Sequence, residues 1–509
     1  MKSSLGRIRP EDVGISPSVL LRYLDAMTQI GFIAHHIMIL KNGHIAFEIN
    51  FAPFRADVPH YICSCSKSVA ATAVGFALDE GLVALNDRIV DIFPEKLSGQ
   101  PHPYIAALTV KHLLTMCTVS DDDRFTPTTK DWTRDYLNAQ PLHYPGTVFG
   151  YDSTGTHILC EMVQKLCGTT VHEYLKPRLF VPLSIDETQV RWQVNPMGIN
   201  HGGGGCHFTP EAMAKFGLLY LQNGMWMGKQ VLPHGWAQEV AKPHICSASR
   251  DGTSKGEYGY KFWRVQNNGF ACLGFAGQSI VMHPDKDVVF VGAANGLQTD
   301  YHYFHMTLFW ELVYPHIASE AIPYEDAAYA QLQECVRDAQ VFLPGSSCVG
   351  QHSPVIAGLT RNLARSRVKP GMTESLYEQP FPADTNKLNC TGFKFDFGND
   401  GGILTLFLPE REIAIPFGYG KHLPGDIGLL SYAVSNHVDE TFPNGCAAAG
   451  RWVNDRTLVI QSHAVDTLHY FLITCHFGDA VTVIEIRPYG RYQFDVFPCS
   501  ITSITRRII

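Results

Sequence analysis

One stretch near the start constrains the fold of this chain more than any other. Tyr61-Ile62-Cys63-Ser64-Cys65-Ser66-Lys67-Ser68 runs directly into an apolar, alanine-rich segment that ends at Gly81. Alanine favours helix and glycine stops it, so the run is expected as a buried helix with Gly81 just past its end. Ser64 and Lys67 form an S-x-x-K pattern at its head. Positions i and i+3 share a helix face, which brings the Lys67 amine within reach of the Ser64 hydroxyl. A serine hydroxyl is a weak nucleophile until a base takes its proton, and a lysine becomes such a base when burial lowers its pKa. The helix N-terminus adds N–H donors where an oxyanion would form. A second S-x-x-K, Ser366-Arg367-Val368-Lys369, is followed at once by Pro370-Gly371, and no helix can carry it.

A chain of 509 residues exceeds one ordinary domain. Its formal charge of −8, without a long basic block, argues against a nucleic-acid or anionic-membrane partner. The N-terminal residues show no apolar signal core, and Asp79 and Glu80 interrupt the best candidate for a membrane span. The 14 cysteines are scattered, with no C-x-x-C pair and no zinc-ligand spacing. Reduced thiols, a cytoplasmic location, and neither metal nor cofactor are the expectations.

Ser16-Pro17 opens a helix that Gly31 should stop, and Asn42-Gly43 between two apolar runs marks a hairpin. Residues 85–94 read as extended surface chain, and Thr109 as the cap of a short helix. The acidic loop Ser120-Asp121-Asp122-Asp123 reads as solvated rather than metal-binding. Further helices are expected from about Gly155 and from Thr209-Pro210, and strands at 270–274, 278–283 and 288–293. An aromatic run, residues 301–314, should close the domain as a helix. Strands that return after a helical middle argue for α+β with an antiparallel sheet. From residue 322 the pattern weakens. Residues 353–373 are basic and aperiodic, and resemble peptide read in frame through dispersed palindromic repeats of bacterial genomes. That likeness implies a bacterial source and an insertion. After residue 388 short alternating runs with turn residues indicate a β-rich unit. The expected division is 1–322, a linker at 323–384, and 385–509.

Two further motifs join Ser64 and Lys67. Tyr151-Asp152-Ser153 follows the turn Pro145-Gly146-Thr147, and a tyrosine near an ammonium can pass protons between nucleophile and leaving group. Gly274-Phe275-Ala276-Gly277-Gln278 is glycine-rich at a strand, where backbone N–H groups can meet an oxyanion.

In this order the three motifs resemble the serine β-lactamase-like hydrolases, in the branch of class C β-lactamases, DD-peptidases, esterases and 6-aminohexanoate-dimer hydrolases. The likeness covers roughly residues 8 to 318. It implies a β-lactamase/transpeptidase-like α+β domain, with an antiparallel sheet flanked by helices plus a mainly helical part, followed by the smaller β-rich domain. It also implies Ser64 as acylated nucleophile, Lys67 as its base and Tyr151 as the tyrosine of a Y-x-N motif. Phe275-Ala276-Gly277 would match the K-T-G triplet, leaving the N–H of Gln278, with that of Ser64, as the oxyanion hole. Two residues depart from the pattern. Ser153 replaces the asparagine of Y-x-N, and Phe275 replaces the lysine or histidine that faces a substrate carboxylate in penicillin-recognising relatives. His201-Gly202-Gly203-Gly204-Gly205 resembles an α/β-hydrolase oxyanion stretch, but the chain lacks G-x-S-x-G, and the resembled family has a glycine-rich segment here beside its cleft. The expected activity is acyl-enzyme hydrolysis of a small ester or amide. A β-lactamase or DD-peptidase and a non-catalytic binding protein are the alternatives, and the oligomeric state stays open.

Overall fold

The computed structural model describes residues 5–29, 32–122, 126–247, 254–296, 303–340, 381–382, 390–409, 412–419, 422–426, 445–454, 456–464, 470–477, 481–488 and 499–504. The basic insertion and the second S-x-x-K lie outside the described residues.

Helix α1 (Pro17–Gln29) buries Leu20, Tyr23, Leu24 and Met27, the stripe expected of a one-sided helix. Strands β1 (Ile33–Lys41) and β2 (His44–Asn50) follow as an antiparallel hairpin. Their turn residues Asn42 and Gly43 take φ of 52° and 77°, the left-handed pair that such a hairpin requires. Next come β3 (His60–Tyr61) and helix α2 (Ser66–Asp79), in which residues 66–77 are all buried. Strand β5 (Cys206–Phe208) pairs with β3 on one side and with β4 (Val190–Trp192) on the other in a small sheet, and β6 (Met225–Trp226) and β7 (Lys229–Gln230) form a ribbon.

The main sheet is completed by β8 (Ile245–Cys246), β9 (Ser254–Tyr258), β10 (Trp263–Val265), β11 (Phe270–Gly274), β12 (Gln278–His283) and β13 (Val288–Asn295). Its order is β2-β1-β13-β12-β11-β10-β9-β8, antiparallel throughout. Successive side chains point to opposite faces, and here both faces are apolar. Met38, Leu40, Ile280, Met282, Val289 and Val291 pack with α2 and the helix Pro210–Leu221. Ile37, Ile39, Val281, Val288 and Phe290 pack instead with α1 and the aromatic segment from Phe304–Leu308 onward.

Two expectations are corrected. Residues 85–94 are not simply extended, because Ile89–Ile92 forms a helical turn that buries Ile89 and Val90. The stretch expected as linker begins with a helix, Asp326–Gln340, packed on α1. Leu332, Cys335, Val336 and Ala339 recur at helical spacing and join the second core, a stripe that polar neighbours conceal in the sequence.

The remaining strands are β14 (Phe381–Pro382), β15 (Gly392–Gly398), β16 (Gly401–Phe407), β17 (Glu412–Tyr419), β18 (Leu423–Asp426), β19 (Gly445–Asn454), β20 (Thr457–Ala464), β21 (Tyr470–Phe477), β22 (Val481–Pro488) and β23 (Cys499–Ile504). They form one curled sheet whose first and last strands approach each other. Phe393, Phe395, Leu404, Leu406, Ile415 and Phe417 alternate into its separate core. This unit touches the first through an edge-on contact of Phe54 with His463, ring centroids 5.9 Å apart. Among the described residues no helix is long and apolar enough to cross a membrane.

Candidate active site

Ser64 lies in a tight turn, Cys63–Cys65, that feeds α2. Cys63 holds a left-handed φ of 47°, a conformation that a non-glycine residue adopts only under tertiary constraint. Ser66 secures the turn, its Oγ donating to the Cys63 carbonyl at 2.6 Å and accepting the Cys206 N–H at 3.0 Å. Ser64 remains partly exposed, whereas Lys67, one helical step on, is 1% exposed.

The Lys67 Nζ lies 3.0 Å from Ser64 Oγ and 2.5 Å from the Gly203 carbonyl, and 4.7 Å from the centre of the Tyr151 ring. Burial lowers its pKa to about 8, while the Asp122 and Asp152 carboxylates pull the other way. Tyr151 precedes the helix Ser153–Cys167, which Asp152 caps by accepting the Gly155 N–H at 2.6 Å. Its ring stacks on Trp263, with centroids 5.9 Å apart and planes 19° from parallel. Burial pushes the Tyr151 phenol well up, and a side-chain hydrogen bond with Ser64 opposes the shift. The structure therefore brings Ser64, Lys67 and Tyr151 together.

Ser153 stands beside them but is engaged elsewhere. Its N–H and Oγ donate to Asp122 at 2.6 and 2.7 Å. Asp122 of the acidic loop thus closes onto the head of the Tyr151 helix, a role the run of aspartates does not announce.

The corner between β11 and β12 differs from expectation. A Cβ on Gly274 would lie 2.3 Å from the Ile62 carbonyl oxygen and 3.2 Å from Cys63 Cβ, so the end of β11 rests against the serine turn. Ala276 and Gly277 then turn the chain with φ of 62° and 99°. Gln278 does not reach the cleft. It is 0% exposed, its side-chain amide donates to the Ala294 carbonyl at 2.6 Å, and its own carbonyl accepts the Cys65 thiol at 3.6 Å. A fully covered residue cannot offer its N–H to substrate, so Gln278 and its neighbour Gly277, also buried, leave the proposed oxyanion hole. Phe275, directly after Gly274, is 36% exposed.

The glycine run acquires a structural reason. A Cβ on Gly202 would lie 2.4 Å from the Thr156 carbonyl oxygen, and one on Gly203 would lie 2.7 Å from Ser153 Cβ. Only glycine lets this segment lie against the Tyr151 helix and aim the Gly203 carbonyl at Lys67. Gly203→Ala should therefore cost activity on the order of tenfold to a hundredfold, with a smaller change in melting temperature. Ester turnover and thermal melting of the variant check this, and undiminished turnover would detach Gly203 from the lysine.

Lys261 and Trp263 approach the site from the far end of the sheet, and no local pattern marks either. Elsewhere, His172, Glu173 and Glu187 are near enough to share a metal ion, but Glu187 already pairs with Lys176 at 2.5 Å.

An antiparallel sheet covered on both faces, with a serine and a buried lysine at the head of an internal helix, defines the β-lactamase/transpeptidase class. The profile of the Beta-lactamase family matches residues 25–307, and the chain belongs to that family, one of serine hydrolases that include esterases, amidases and penicillin-binding-protein relatives. A 6-aminohexanoate-dimer hydrolase from Paenarthrobacter ureafaciens is 24% identical over 297 residues, which is 53% of this chain and 74% of that protein. A solved structure from Bacteroides dorei DSM 17855, provisionally named a β-lactamase, covers 58% of this chain and 99% of its own at 16% identity and a TM-score of 0.50. A family VIII carboxylesterase covers 61% of this chain and 99% of its own, with 18% identity and a TM-score of 0.49.

Proposed function

We propose that the protein hydrolyses a small ester or amide through an acyl-enzyme on Ser64. The observation that carries this reading is the 3.0 Å approach of a desolvated Lys67 amine to Ser64 Oγ. Neutral Lys67 takes the Ser64 proton as Oγ bonds to the substrate carbonyl carbon, and the carbonyl oxygen becomes an oxyanion. Collapse breaks the bond to the leaving group, which takes a proton relayed from Lys67 through Tyr151. Water then repeats the sequence on the acyl-enzyme and releases the acid. The N–H groups of Ser64 and Phe275 are the better pair for the oxyanion, since Gly274 holds Phe275 beside the serine turn at the exposed mouth of the cleft.

A fluorophosphonate probe, which phosphonylates an activated serine, tests the reading. One probe mass should add, and it should map to the peptide that contains Ser64. No label, or a label elsewhere, removes the acyl-enzyme and leaves a binding protein on the same scaffold.

Substrate charge is the next expectation. From β11 through Gln278 the wall beside the serine carries no cation: its residues are Phe-Ala-Cys-Leu-Gly-Phe-Ala-Gly-Gln. A missing charged contact to a carboxylate costs about 2–4 kcal/mol when partly buried, or about thirty- to a thousand-fold in kcat/KM. p-Nitrophenyl acetate or butyrate should be cleaved better than a carboxylate-bearing cephalosporin by at least that margin, and Phe275→Lys should narrow it. Efficient cephalosporin hydrolysis by the unaltered protein would favour a β-lactamase instead.

A further inference from the structure

The acidic loop has no part in the scheme above, yet Asp122 holds the segment that carries Tyr151 at two points. The Asp122 N–H donates to the Tyr151 carbonyl at 2.8 Å. The Asp122 carboxylate accepts the Ser153 N–H at 2.6 Å on one oxygen and the Ser153 hydroxyl at 2.7 Å on the other. One residue therefore grips the two peptide groups that follow Tyr151. Gly150, just before Tyr151, lets the loop come this close. A Cβ there would lie 3.1 Å from Asp121 Cβ and 3.2 Å from the Ser120 carbonyl oxygen.

We propose that Asp122 is a positioning residue for the proton relay, fixing the backbone at Tyr151 so that the phenol stays between Lys67 and the leaving group. The inference rests on the reading of Tyr151 as that relay.

Tyr151 itself lies in neither helix nor strand, so its place depends on what the chain around it is tied to. The stack on Trp263 sets the plane of the ring but not where the hydroxyl lies within that plane. The backbone bonds to Asp122 supply that second constraint. The helix Ser153–Cys167 does not need them for its own start. Asp152 already caps it through the Gly155 N–H, and Thr118 and Tyr136 donate to the Asp152 carboxylate at 2.7 and 2.6 Å. What Asp122 adds is a tie from the helix head to a loop 31 positions earlier in the chain. The step it serves is the collapse of the tetrahedral intermediate. The bond from the carbonyl carbon to the leaving oxygen breaks, and its electron pair goes to that oxygen. Tyr151 gives that oxygen its phenolic proton and takes one from the Lys67 ammonium, which returns neutral. A proton donor must sit within hydrogen-bond reach, and a misplacement of about 1 Å costs about a hundredfold. An alkoxide is a strong base and must be protonated as it leaves. p-Nitrophenolate is a weak base and leaves without that help.

The test compares ethyl butyrate with p-nitrophenyl butyrate, two esters of one acyl group, on the full chain. The quantity is the ratio of their kcat/KM values, which report the steps up to acylation. Rates are taken above the Lys67 titration, because the Asp122 charge also raises the Lys67 pKa and would add a second effect at neutral pH. In Asp122→Ala the ethyl ester should fall about a hundredfold and the p-nitrophenyl ester about threefold. Asp122→Asn keeps an acceptor for the Ser153 N–H and a donor for its hydroxyl, and should bring the ratio back to within about threefold of the unaltered protein. Tyr151→Phe should disfavour the ethyl ester in the same way. Adding Asp122→Ala to it should leave the ratio where it is, since Asp122 acts through Tyr151. A general loosening of the fold lowers both esters together with the melting temperature. An unchanged ratio in folded Asp122→Ala therefore overturns the proposal. Should that variant not fold, Ser153→Ala removes one of the two bonds to the carboxylate and should shift the ratio by about threefold, and an unchanged ratio there overturns the proposal equally. An unchanged ratio in Tyr151→Phe is a different failure, because it removes the relay itself and Asp122 with it.

Discussion

Ser64→Ala is expected to fold normally and to lose both fluorophosphonate labelling and ester turnover, by at least about 10⁴-fold. The side chain is small and partly exposed, and the Lys67 amine that donates to it keeps the Gly203 carbonyl as an acceptor. Ser66→Ala supplies the contrast. Ser66 is 0% exposed, and its Oγ is fully used between the Cys63 carbonyl and the Cys206 N–H. Its loss strands a buried donor, at a cost of about 1–3 kcal/mol, so melting temperature should fall while labelling persists. Intact mass and melting curves of both variants separate the two roles. Label retained in Ser64→Ala and lost in Ser66→Ala would reverse the assignment.

What could be read in advance follows from how local each signal is. The Asn42-Gly43 hairpin, the Thr209-Pro210 helix start and the buried α2 depend on residues within a few positions of one another, and each is found where expected. Ser64 and Lys67 also meet through one helical turn. The oxyanion corner could not be read that way. Phe275-Ala276-Gly277 looks like the motif triplet, but Gly274 lies against Ile62 and Gln278 is fully covered, and those contacts join segments some two hundred positions apart. The same holds for Gly203, whose carbonyl reaches Lys67 across 136 positions. Lys261 carries no sequence mark at all, because its buried partners Met116 and Ser68 come from two different segments. The helix Asp326–Gln340 is a milder case: its apolar stripe is short, and only the waiting face of α1 gives it a place to pack.

Lys67→Met should reduce the acylation rate by about 10³-fold or more at every pH, since the proton of Ser64 then has no buried base to receive it. The sign of the pH dependence in the unaltered protein follows from the same geometry. A base must be unprotonated to act. Because Lys67 titrates at about 8, kcat/KM for a neutral ester should climb as pH rises through that value and level off above it. Tyr151, whose phenol is pushed well up, should not limit the rate in that range. Lys67→Arg is the discriminating variant. A guanidinium is similar in length and charge but stays protonated at any accessible pH, so it should be inactive throughout rather than merely shifted. A packing role for Lys67 predicts the opposite order, with arginine tolerated and methionine impaired. Initial rates from about pH 6 to about pH 10 for the three proteins decide between them. A flat profile through pH 8, together with an active Lys67→Arg, would remove lysine as the base.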